Sequence, residues 1–134
     1  MGPIKSLALV LVLGGATGAW AEWVRVVETD HVDFYIDTAS INKEGHLRRV
    51  WEMQNLKQRD KDGELSRHAM TEYDCKLRRT RILSLFTHVD PMANGKILLH
   101  VNGPLPWKDI ASNTIDEAYL RLVCFTRLPE RLML

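Results

Sequence analysis

The fold is decided by residues 47–75, LRRVWEMQNL-KQRDKDGE-LSRHAMTEYDC. Two alternating runs flank a polar bend. In the first, Leu47, Trp51 and Met53 share a face. In the second, Ala69, Thr71, Tyr73 and Cys75 lie on one side, and Ser66, His68, Met70, Glu72 and Asp74 on the other. That two-residue period is the period of a β-strand. Between the runs, Asp60-Lys61-Asp62-Gly63 supplies the Asp and Gly that close hairpins. The stretch predicts two antiparallel strands, Leu47 to Leu56 and Leu65 to Cys75.

Working outward, the same period recurs. Trp23–Glu28 and Val32–Asp37 read as strands joined by a polar turn at Thr29-Asp30-His31, with Val32, Phe34 and Ile36 on one face. Asn42-Lys43-Glu44-Gly45 reads as the turn into Leu47. A fifth strand runs from about Arg78 to Val89 and ends at Pro91-Met92-Ala93-Asn94-Gly95. A sixth covers Lys96 to Val101, and Gly103-Pro104-Leu105-Pro106-Trp107 makes a stiff extended connector.

The period then changes. Thr114-Ile115-Asp116-Glu117 fits a capping box. Ile115, Ala118, Tyr119 and Leu122 recur at helical spacing, with Leu120 and Cys124 one turn apart on a neighbouring stripe. The expected fold is α+β: a meander of about six antiparallel strands, with one C-terminal helix packed on the sheet.

The N-terminus points to export. Lys5 precedes the apolar run Leu7–Leu13, small residues follow, and Ala19-Trp20-Ala21 offers a cleavage pattern. Residues 1–21 read as a cleaved signal peptide and 22–134 as a single domain. The apolar run is far short of the roughly 20 residues a spanning helix needs, and no second such run follows, so no transmembrane segment is expected in the mature chain. No cysteine precedes Cys75, so the exported protein is not expected to be lipid-anchored. The full chain has 18 Lys+Arg against 17 Asp+Glu, and losing Lys5 leaves the domain formally neutral. That balance gives no bulk attraction to nucleic acid.

An oxidising compartment makes one bridge the economical reading of Cys75 and Cys124, which stand 49 positions apart. Closing such a loop is worth about 4 kcal/mol through the unfolded chain. The rival reading, a nucleophilic or metal-binding thiol, would want another cysteine or a histidine at ligand spacing. The sequence has neither.

Chemistry-bearing motifs are sparse. Among His31, His46, His68, His88 and His100, only His88 and His100 flank a turn, at Asn94-Gly95, from which they could face each other across a hairpin. No metal motif results, and no cofactor is implied. Asp60-x-Asp62-Gly63 fails as a calcium loop, because its sixth position is Leu65 and its twelfth Thr71. Lys76, Arg78, Arg79 and Arg81 form a basic run, with Arg79 and Arg81 on one strand face and Arg78 opposite. The run reads either as a solvated face paired with Glu72 and Asp74 or as a partner-docking patch. Glu28, Asp30, Asp33 and Asp37 could converge, though scattered strand acids are usually surface. Trp23, Trp51 and Trp107 read as core and loop anchors. No hydrolase, metalloprotease or nucleotide-binding motif occurs, so no enzyme is expected.

The order of several pieces resembles the surface-adhesin protein E-like family of Gram-negative bacteria. Those pieces are Trp23-Val24, Tyr35-Ile36-Asp37, Ser40-Ile41, Val50-Trp51-Glu52-Met53, Tyr73-Asp74-Cys75, Arg78-Arg79-x-Arg81-Ile82, Trp107-x-x-Ile110 and Val123-Cys124. The resemblance implies a sheet whose C-terminal helix is held by the cysteine bridge, and a binding protein rather than an enzyme. The namesake is a surface adhesin of host proteins such as vitronectin and laminin. It is anchored by a lipidated cysteine that this chain lacks. The expected function is an exported, periplasmic or secreted module binding another protein through the Arg78–Arg81 region or an exposed sheet edge. That edge could equally pair two copies into a homodimer. The alternative is a periplasmic small-ligand or metal-binding protein.

Overall fold

The computed structural model describes residues 21–125, so the expected signal peptide lies outside the described residues apart from Ala21. The chain forms β1 Trp23–Glu28, β2 Val32–Asp37, a 3-10 turn Thr38–Ser40, β3 Asn42–Glu44, β4 Leu47–Leu56 and β5 Ser66–Asp74. It continues with β6 Arg79–Asp90, β7 Asn94–Asn102, β8 Lys108–Asp109 and α1 Ile115–Phe125. The six longer strands are hydrogen-bonded in the order β1-β2-β4-β5-β6-β7, the expected antiparallel meander.

Two short strands correct the expected turn at residues 42–45 and lengthen the connector's role. β2 covers β4 only from Glu52 to Leu56, and β3 takes up Leu47 to Arg49. Likewise β7 covers β6 only from Ser84 onward, and β8 takes Arg79 and Thr80. A long strand that outruns its neighbour leaves backbone groups to satisfy, and the nearest short segment satisfies them. Neither segment is long enough to show alternation.

Register sorts the side chains into two faces, because residues directly opposite in antiparallel strands point the same way. One face carries the rows Val50–Thr71–Ile82 and Glu52–Ala69–Leu85–Val101. The other carries Arg49–Glu72–Arg81, Trp51–Met70–Ser84–Asn102 and Met53–His68–Phe86–His100. A bulge leaves Leu83 of β6 without a β5 partner, since Met70 faces Ser84 and Thr71 faces Ile82. That extra residue keeps both ends of β6 in phase with β5. The freed carbonyls of Ile82 and Leu83 accept the N–H groups of Leu105 and Gly103 at 2.8 Å each. A side chain at residue 103 would stand 2.5 Å from the Ile82 carbonyl, so the approach requires Gly103.

The helix packs on the first face. Ile36, Val50 and Tyr73 from the sheet, Ile41 and Ile110 from its margins, and Tyr119, Leu120 and Val123 from α1 form the buried core. Cys75, one residue beyond β5, is bonded to Cys124 with Cα atoms 5.8 Å apart. The expected stripe of Ile115, Ala118, Tyr119 and Leu122 is therefore rotated. Cys124 must turn toward the sheet, which carries Leu120 inward and moves Ile115 and Leu122 to the core's edge. Half of the capping box forms as expected, Thr114 Oγ1 accepting the Glu117 N–H at 3.2 Å, while the Glu117 carboxylate reaches one residue further back and accepts the Asn113 N–H at 3.1 Å.

Candidate functional site

Among the described residues no helix covers the second face of the sheet. Its own large side chains form a layer over small and charged ones. The chemistry centres on Glu72, which is fully buried. Its neighbours in the row are both arginines. Arg49 Nε donates to one carboxylate oxygen at 2.9 Å, and Arg81 Nε donates to the other at 2.8 Å. Burial pushes the Glu72 carboxyl up, but the two guanidinium groups together hold it below the usual carboxylate range. Asp74 repeats the arrangement one step along: burial opposes ionisation, while the N–H groups of Leu77 and Lys76, then His46 and Arg79, outweigh it. Arg79 Nε lies 3.3 Å from the Asp74 carboxylate.

Trp107 completes this cluster. β8 pairs with Arg79 and Thr80 and so delivers Trp107 beside β6. The guanidinium carbons of Arg79 and Arg81 lie 4.4 and 4.3 Å from its ring centre. Each cation is thus held by a carboxylate on one side and a π face on the other. The result is a preorganised array of Trp107, Arg79, Arg81 and Arg49 over buried acids. Trp and Arg are the residue types that dominate binding hot spots.

The layer continues as stacked rings. Trp51 stacks on His68 at 4.2 Å, Phe86 stacks on His100 at 4.2 Å with planes 7° apart, and Trp23 meets His68 edge-on at 5.8 Å. Burial, and then His88, hold the His68 imidazole below its ordinary pKa. It therefore acts as a flat neutral ring between its neighbours. Met53, Ser66 and His88 are buried beneath this layer.

The basic run is divided by the fold. Arg79 and Arg81 share the open face and pair with the adjacent acids. Arg78 turns the other way to Glu117 of α1, at 2.8 Å. Lys76 sits exposed in the turn. His88 and His100 share a face but are not opposed: His88 faces Ile97, and His100 faces Phe86. The bulges in β6–β7 pairing shift the register the turn had suggested. Asp60 does close a turn, accepting the Asp62 N–H at 2.6 Å. Of the four N-terminal acids, Glu28 and Asp33 face each other across β1 and β2 and meet at Lys57, Asp33 at 3.9 Å, while Asp37 stands apart. Glu28 binds Lys57 at 2.9 Å, and Asp37 caps the chain at Glu22 and Ala39. Trp23, Trp51 and Trp107 lie on the open face, not in the core under the helix. Among the described residues no three His, Cys, Asp or Glu side chains gather as a metal site, and no helix is long and apolar enough to cross a membrane.

The sequence reading that paired the basic run with Glu72 and Asp74 holds for Arg81 and Arg79. What it did not show is that Glu72 is buried and takes a second arginine, Arg49, because that partner arrives only through the register with β4.

These features define a class: a small disulfide-stapled α+β domain whose meander offers one open face of arginines and stacked rings. The chain belongs to the surface-adhesin protein E family, which matches residues 23–125. It is similar in fold to Haemophilus influenzae protein E. One crystal form is 16% identical with a TM-score of 0.60, covering 86% of this chain and 96% of that one. Protein E from non-typeable Haemophilus influenzae is 14% identical with a TM-score of 0.54, covering 85% of this chain and 82% of that one. No protein with a curated description matches the sequence.

Proposed function

We propose that this chain is an exported, non-enzymatic module that binds another protein through the open face, with Trp107, Arg79 and Arg81 at the centre of contact. Family membership supports adhesin-like binding. The observation that carries the site is the Trp107 stack. Two arginines fixed by buried carboxylates need little further ordering when they meet a partner, which lowers the entropic cost of binding. Lys76 stands exposed in the Cys75 turn that leads into this strand, whereas Arg78, paired with Glu117 on the helix side, lies outside the contact. Residues 1–21 act as the cleaved signal peptide that delivers domain 22–134 to the periplasm or beyond.

Protease shaving of intact cells tests the placement. Digestion of the protein while a periplasmic marker survives supports surface action, and full protection overturns it. A second reading has its own observation. The outer strand β7 leaves Ile97, Leu98 and Leu99 50%, 40% and 52% exposed, which suits edge pairing of two copies. Sedimentation of the purified chain, with and without Leu98→Lys, distinguishes a dimer from a monomer.

A further inference from the structure

The helix face has a feature the protein-binding reading does not use. α1 packs over β1 and β4, leaving part of the sheet beside it uncovered. There a cavity of about 420 Å³ opens between the sheet, the connector and the start of α1. That volume falls in the roughly 300–1,000 Å³ range of small-molecule sites. Ala69, Ile82, Leu85, Leu105 and Pro106 give it an apolar lining.

Its charges are unevenly matched. Lys108 Nζ is 2.9 Å from Asp116, Arg67 is held by Glu64 at 2.5 Å and Asp60 at 3.3 Å, and Arg81 is held by Glu72. Glu52, half-buried in the wall, has no ion-pair partner among the described residues; the Tyr73 hydroxyl donates to its carboxyl. Every cation lining the cavity already has an acid, and one acid has no cation.

We propose that this cavity binds a small organic cation, an ammonium group on an apolar body, whose charge pairs with Glu52. The apolar lining takes the body and the unmatched carboxylate takes the charge. An anion is disfavoured, because Lys108, Arg67 and Arg81 are already paired with acids and it would meet the Asp116 carboxylate. The groups acting on Glu52 are Tyr73 and Thr71 from β5 and Asp116 and Tyr119 from α1; Arg67, Arg81 and Lys108 line the cavity without pairing with it. Burial pushes the Glu52 carboxyl up to about 8; the Tyr73 hydroxyl bond opposes this, Asp116 adds to it, and Thr71 opposes it. The empty site therefore holds a neutral acid at pH 7, and an arriving ammonium displaces its proton into solvent.

Calorimetric titration of the purified chain with 2-phenylethylamine tests this. Saturable one-to-one binding is expected, with close to one proton released per amine at pH 7. Affinity should rise about tenfold per pH unit up to about pH 8. Glu52→Gln should lower affinity at pH 8 at least tenfold and abolish proton release. Ala69→Leu, which fills the cavity but keeps Glu52, should block binding and decides the matter if the first variant misfolds. Failure of the amine to saturate the wild type, equal binding by Glu52→Gln, or tighter binding of 3-phenylpropionate would overturn the proposal. None of these outcomes bears on the open face.

Discussion

The two faces of this sheet are held by different physics. Under the helix, Ile36, Val50, Leu120 and Val123 are shielded from water by one another, and the disulfide limits how far α1 can depart. Among the described residues no helix shields the open face. Glu72 and Asp74 are buried by arginines and rings; Glu72 remains ionised because two guanidinium groups stand beside it, and Asp74 chiefly because the Leu77 and Lys76 N–H groups donate to it, with His46 and Arg79 adding to this. Apolar burial carries no titrating group and is not screened by salt, whereas the ion-pair layer depends on pH and on screening. The lesson is a division of labour. The covered face buries the apolar core under α1, and the open face holds charged and aromatic groups in fixed positions.

The largest expected effect lies on the covered face. Cys124→Ser should cost about 4 kcal/mol in urea denaturation, since the unfolded chain regains a 49-position loop. An unchanged midpoint would contradict the staple. Next is the open face's charge layer. Arg49→Ala combined with Arg81→Ala strands Glu72 as a buried carboxylate without its two cations and should cost about 3 kcal/mol. Glu72→Gln should cost less, because both arginines can swing toward water. If the single change is the more damaging, the burial argument for Glu72 is wrong.

Part of this was legible in the sequence and part was not. Alternation in residues 47–75 sorted Tyr73 and Thr71 from Glu72, His68 and Met70 correctly, because a two-residue period survives any register. Which of those faces the helix would cover had no local signal. It depends on Cys124 reaching Cys75. The Arg49–Glu72–Arg81 row and the Tyr73–Glu52 contact join residues 9 to 23 positions apart, and both rest on pairing register. The β6–β7 bend shows the same limit. Asn94-Gly95 is a strong hairpin signal, yet the chain turns at Met92 and Ala93, with φ of 59° and 57°. Asn55 and Ser66 hold that turn by accepting the Met92 and Ala93 N–H groups at 2.8 and 2.9 Å. Those partners lie on other strands, beyond any local reading.

The pH dependence sharpens the contrast. Glu72 and Asp74 titrate below their ordinary range when folded, so their contribution is present above the unfolded pKa and is lost as pH falls through the lower folded one. Glu52 runs the other way. Its folded pKa of about 8 favours folding below its ordinary value near 4.5, an advantage lost as pH rises to about 8. Glu52→Gln should flatten the decline between pH 5 and 8 and leave the acid limb unchanged. Chemical denaturation across pH 2 to 9 reads both limbs, and an unchanged alkaline slope in the variant would contradict the environment described for Glu52.

The smallest expected change in stability belongs to Trp107→Ala, about 1 kcal/mol from two partly exposed cation–π contacts. Its effect on binding should be the largest of all. The most direct test of the open face is therefore retention of the purified mature chain on a panel of immobilised envelope and matrix proteins, compared between wild type, Trp107→Ala and Leu122→Ala on the helix. The account predicts that Trp107→Ala weakens whatever protein binding the wild type shows more than tenfold while Leu122→Ala leaves it unchanged. Equal binding by wild type and Trp107→Ala would contradict it.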